Sequence, residues 1–118
     1  MQFHVRTKDL TTYLEGIAGQ PFIQQEHDAL DIIAICGEYE SQRLLLHREN
    51  FPDNFSDLKT GCAGHILQKF MNYQIKVAAV LPITVMRGRF EEMALETKRN
   101  HYFRVFHSKE EAEAWLIQ

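Results

Sequence analysis

The chain has 118 residues, 45% of them hydrophobic and 25% charged, with a formal charge of −3 at pH 7. That length fits a single domain spanning residues 1–118 with a core of its own, and the composition is that of a globular rather than a disordered chain. The negative balance speaks against general nucleic-acid binding, which calls for a basic face, and the longest apolar run (Val77 to Ile83, broken by Pro82) falls far short of the roughly 20 residues of a membrane span.

The opening MQFHVRTKDL has no apolar stretch of signal-peptide length. Cys36 and Cys62 sit inside apolar helical patterns and read as free thiols of a reducing compartment, so the cytoplasm is the expected location. Phe3 to Arg6 alternates apolar and polar residues as a half-buried strand does, and Thr11 to Ala18 reads as a second strand ended by Gly19 and Pro21. From Gln25 to about Tyr39, Ala29, Ile32, Ile33 and Cys36 form a helical stripe, with Glu26 and Asp28 suited to the positive end of its dipole.

Leu44 to Leu46 is a short buried strand, and Arg48 to Asp57 is a polar loop broken by Phe51 and Phe55. A helix is expected to start at Phe55-Ser56-Asp57 and to run to Asn72 on Leu58, Cys62, Ile66, Leu67, Phe70 and Met71. Ile75 to Leu81 is apolar on both faces, a central strand stopped by Pro82. Gly88 precedes a helix on Phe90, Met93, Ala94 and Thr97, closed by Lys98, Arg99 and Asn100. After a strand at Tyr102 to Phe106, Ser108 and Glu111 form a capping box for a last helix that turns Ala112, Trp115 and Leu116 to the sheet. The order is β-β-α-β-α-β-α-β-α: an α/β fold with a mixed sheet of about five strands and about four helices. Its later strands should be parallel through right-handed crossovers, and the first two could pair antiparallel at one end.

Three segments carry a resemblance: DALDIIA at Asp28 to Ala34, DLKTGCAGHILQKFMNYQIKVAAV at Asp57 to Val80, and FHSKEEAEAWL at Phe106 to Leu116. Together they resemble an uncharacterised bacterial domain-of-unknown-function family. The element order also resembles the STAS domain of sulfate transporters and anti-sigma factor antagonists. In those antagonists a Ser-Ser-Gly string opens a helix, and one serine is phosphorylated. The resemblance sets Lys59-Thr60-Gly61 at that helix opening and Thr60 near the modified position, although Lys59 replaces a hydroxyl residue and the loop before it is longer.

Asp57 to Gly64 is the segment most open to a functional reading. A helix start with Thr60, Gly61 and Gly64 would offer backbone N–H groups to an anion, and a phosphate on Thr60 would add about −1.5 to −2 charge there. The structural alternative is that the glycines let the helix pack closely. The six histidines show no paired spacing for a metal, so no metal ligand and no cofactor is expected. Ser41, Ser56 and Ser108 lack a nucleophile motif, Cys62 reads as buried, and no catalytic residue is assigned. Arg87-Gly88-Arg89 is a basic loop that either meets an acidic partner or is a solvated turn. Phe51 and Phe55 either pin their loop or project as partner anchors.

The expected function is a non-enzymatic regulatory or partner-binding module. Its face comprises Phe51, Phe55, Ser56, Asp57, Lys59, Thr60 and Gly61, and it would engage a protein partner or a second copy of the chain, with no nucleic acid and no membrane. The alternative is a small-ligand protein or enzyme using a strand-end cleft at His47, Glu49 and His107, with Lys59 beside them.

Overall fold

A computed structural model describes residues 2–57, 61–97 and 101–118. Its first two strands, β1 (Phe3–Lys8) and β2 (Thr11–Gly16), pair antiparallel through a tight turn at Asp9 and Leu10. Both turn residues have positive φ, 52° and 65°, the backbone that a two-residue hairpin turn needs to match strand twist. The turn is made without glycine, and it leaves Leu10 99% exposed.

Three further strands follow: β3 (Arg43–His47), β4 (Lys76–Val80) and β5 (Phe103–Phe106). The sheet order is β1-β2-β3-β4-β5, with every pair after the first parallel. Each parallel step is bridged by a helix: α1 (Asp28–Glu38), α2 (Cys62–Asn72) and α3 (Gly88–Thr97), and α4 (Lys109–Leu116) ends the fold. Because each step advances in the same direction across the sheet, right-handed crossovers place α1, α2 and α3 on one face. There Ile32, Ile66, Leu67, Phe70 and Phe90 meet Leu14, Leu44, Leu46, Val77 and Ala79. The other face is left to α4, whose Ala112, Trp115 and Leu116 cover Tyr13, Leu45 and Ala78. The alternation of strand side chains thus explains why Leu44-Leu45-Leu46 is apolar throughout: its residues feed two cores.

The α/β class, the mixed five-stranded sheet and the four helices agree with the sequence reading, while the ends of the elements differ. β2 stops at Gly16 rather than reaching Ala18, because Asn50 and Phe22 close over that position: a Cβ on Gly16 would lie 2.5 Å from Asn50 Oδ1 and 2.9 Å from Phe22 Cε2. α1 starts at Asp28, whose carboxylate accepts from the Gln24 and Gln25 N–H groups at 2.9 and 3.1 Å. Asp57 lies outside α2, and the N-cap of that helix is Gly61 at φ 71°. The expected closure of α3 at Lys98, Arg99 and Asn100 lies outside the described residues. α1 and α2 end alike. In each, a non-glycine residue takes positive φ (Glu40 at 53°, Gln74 at 58°), and the next N–H reaches back to the helix, from Ser41 to Cys36 O and from Ile75 to Phe70 O. α4 begins at Ser108, whose hydroxyl accepts from the Glu111 N–H at 3.2 Å, one half of the expected capping box.

Candidate functional site

The loop after β3 is built from the inside. A 3-10 turn at Arg48–Asn50 carries Asn50 into complete burial. There its Oδ1 accepts from the His47 N–H at 2.8 Å, while Nδ2 donates to Ile17 O and Gln20 O at 2.9 and 2.8 Å. One side chain therefore ties the segment leaving β2 to the segment leaving β3. Phe51 and Phe55 follow, 2% and 1% exposed, stacked with their ring centroids 4.1 Å apart. Phe55 also meets the edge of Phe90 in α3 at 5.9 Å. The two phenylalanines pin the loop and do not project from it: their rings fill the α1-α2-α3 core, where apolar area is worth more than it would be in water. As contact anchors for a partner they are corrected to core residues.

With its aromatic side turned inward, the loop presents Ser56 and Asp57 as one wall of a cleft of about 590 Å³. The facing wall comes from the segment after β4. A 3-10 turn at Ile83–Val85 supplies Thr84 and Val85, the entry to α3 supplies Arg87 and Arg89, and Phe90 closes the base. Both segments leave the carboxyl ends of neighbouring parallel strands, where ligands of α/β folds gather. Arg87 and Arg89 are exposed, and neither guanidinium makes an ion pair or hydrogen bond with a described residue. Lys59 and Thr60 lie outside the described residues. Gly61 stands beside His65, whose Nδ1 is 3.5 Å from Glu26.

A second polar group lies on the α4 face, between α4 and the β1–β2 hairpin. Glu15 on β2 has a side chain only 7% exposed, and three partners converge on it. Arg6 Nε is 2.8 Å away, His47 Nε2 2.8 Å and Lys109 Nζ 3.0 Å. Burial by itself pushes the carboxyl upward, but the hydrogen bonds from His47, Arg6 and Lys109 outweigh it and hold the group at about 2. Beside it, the Tyr13 hydroxyl donates to Glu113, which also receives Lys8 at 3.0 Å. Burial and then that hydrogen bond raise the Tyr13 pKa, while Tyr13 and Lys8 lower that of Glu113. A carboxylate this saturated with donors and this acidic is a poor proton acceptor near neutrality, so the group acts as a lock between hairpin, β3 and α4.

The cleft envisaged at His47, Glu49 and His107 is not assembled. His47 is engaged with Glu15, Glu49 lines a separate surface cleft with Arg48 and Asp53, and His107 Nδ1 is 3.0 Å from Leu81 O. Strand pleat accounts for the separation, since His47 falls on the α4 side of the sheet while the residues after it turn to the other layer. Cys62 is half-buried rather than fully buried, and burial together with Glu26 raises its thiol pKa; burial pushes Cys36 up to about 11. Among the described residues no group of three or more His, Cys, Asp or Glu side chains could hold a metal ion, and no helix is long and apolar enough to cross a membrane.

Sequence reasoning passed over Arg6, Tyr13, Glu15, Lys109 and Glu113. The available signal was the row His4, Arg6, Lys8 on one strand facing Thr11, Tyr13, Glu15 on the next, which the hairpin register places on one face. No curated protein and no solved structure matches the chain. A family model described as a domain of unknown function, DUF4180, matches residues 8–116, and the chain belongs to that family.

Proposed function

We propose that the chain is a non-enzymatic partner-binding or regulatory module, a single cytoplasmic domain of STAS-like arrangement. Its working face is the cleft between the loop that carries Ser56 and Asp57 and the segment after β4. The observation that carries this reading is the pre-built wall. Asn50, Phe51 and Phe55 anchor the loop from within, and Ser56 and Asp57 line one cleft with Arg87 and Arg89. Lys59 and Thr60, two and three positions after Asp57 in sequence, belong to this reading, with Thr60 as the position where phosphorylation would change the charge of the face. The antiparallel first strand and the element order favour the STAS-like part of the reading, and the lack of a disulfide at Cys36 and Cys62 favours a reducing compartment. The alternative of an enzyme or small-ligand site at His47, Glu49 and His107 draws less support, since those side chains are engaged apart from one another.

The test is a native-lysate pull-down with quantitative mass spectrometry. It compares wild type with Asp57→Arg, Thr60→Glu and Arg89→Glu, with Gln68→Ala on exposed α2 surface as control. A stoichiometric partner kept by the control and lost from the face variants supports the reading, as does recovery of phosphorylated Thr60 peptide. An identical set of proteins in every sample refutes it. Capture of the chain itself alone replaces the heterologous partner with a homodimer.

A further inference from the structure

The chemistry of the cleft names a ligand class. Arg87 and Arg89 bring two guanidinium groups to one wall, each a planar fork of donors suited to tetrahedral oxyanions, and each unpaired among the described residues. Ser56 and Thr84 add a hydroxyl from each side. Asp57 is the one carboxylate among the described lining residues, so their balance is positive although the whole chain is negative. General attraction of anions to a basic protein is therefore no explanation for the charge of this cleft. The turn that carries Thr84 and Val85 into the cleft also leaves Ile83, the residue before Thr84, 70% exposed. An open, cationic cleft beside an exposed apolar residue suits a flexible chain segment better than a small molecule, which wants most of its surface enclosed.

We infer that the cleft is a recognition site for a phosphorylated serine or threonine in a segment of a partner protein. Arg87 and Arg89 grip the phosphate, Ser56 and Thr84 donate to its remaining oxygens, and Ile83 touches the flanking residue. This inference rests on the partner-binding reading above and narrows it.

The test uses the intact chain, isotope-labelled, titrated with a short peptide carrying phosphoserine next to leucine. Its unphosphorylated form, inorganic phosphate and phenyl phosphate serve as comparisons. Saturable shifts are expected at the Arg87 to Phe90 amides, at Ser56 and at the two arginine Nε–H signals. The phosphopeptide should bind at least tenfold more tightly than its unphosphorylated form and than either small phosphate. Arg87→Ala and Arg89→Ala should each weaken it about tenfold with the melting temperature unchanged, because neither guanidinium makes a hydrogen bond or ion pair with a described residue. No saturable response, or a response that both alanine variants retain, overturns the phosphate site. Equal binding of phenyl phosphate and phosphopeptide overturns the segment. A partner complex lost in the face variants without any phosphopeptide response overturns this inference alone and leaves the broader reading standing.

Discussion

Replacing Glu15 with glutamine removes a charge while nearly keeping the shape, and its cost is predicted to depend on pH in a defined sense. In the folded chain the carboxyl titrates at about 2, against an ordinary 4.5. By linkage that difference is worth about 3 kcal/mol at pH 7. A depressed folded pKa means that the contribution is fully present above about 4.5 and disappears as the pH falls toward about 2, with about 1.4 kcal/mol left at pH 3. The carboxylate is nearly enclosed, but Arg6 and Lys109 are about two-fifths exposed and the amide of glutamine can still accept. The expected loss at pH 7 is therefore nearer 2 than 3 kcal/mol. Urea unfolding followed by the fluorescence of Trp115, the single tryptophan, gives the free energies of wild type and Glu15→Gln at pH 7 and pH 3. The gap between the two proteins should shrink by more than half on acidification. An equal gap at both pH values, or none at pH 7, refutes the assignment of that stability to the Glu15 charge.

Asn50→Ala strands the His47 N–H and the carbonyls of Ile17 and Gln20 in a part-buried site, and a loss of about 1–3 kcal/mol is expected in chemical denaturation. Gly16→Ala drives a methyl group into Asn50 and Phe22, neither free to move aside, and should cost about 1–3 kcal/mol in the same assay. Glu40→Gly and Gln74→Gly relieve left-handed backbone after α1 and α2, so each should raise stability by about 0.5–1 kcal/mol in thermal melts, and the pair should add. In native protein at pH 8, iodoacetamide mapping should find Cys62 modified well before Cys36, which is 1% exposed with its thiol pushed up to about 11; equal rates would contradict the packing of α1.

Much of the fold is legible in the chain because the relevant signals are local. Period-two alternation marks Phe3 to Arg6, period-3.6 stripes mark Ile32 with Cys36 and Ile66 with Phe70, and Ser108 announces the start of α4. The run Leu44-Leu45-Leu46 already says that its strand is covered on both sides. What covers each side is not written there. It follows from the one-directional strand order, which sends three helices to one face and leaves the other to α4. The same long-range pairing decided the polar features. Glu15 is an ordinary polar strand residue until β1, β3 and α4 bring Arg6, His47 and Lys109 to it from 9, 32 and 94 positions away in sequence. Arg87 and Arg89 read as a basic turn of undecided role until Phe51 and Phe55, buried by the helical layer, hold Ser56 and Asp57 in the same cleft. Periodicity depends on backbone geometry over a few residues and so survives in the sequence alone, whereas convergence of distant side chains depends on register and crossover, which only the assembled sheet supplies.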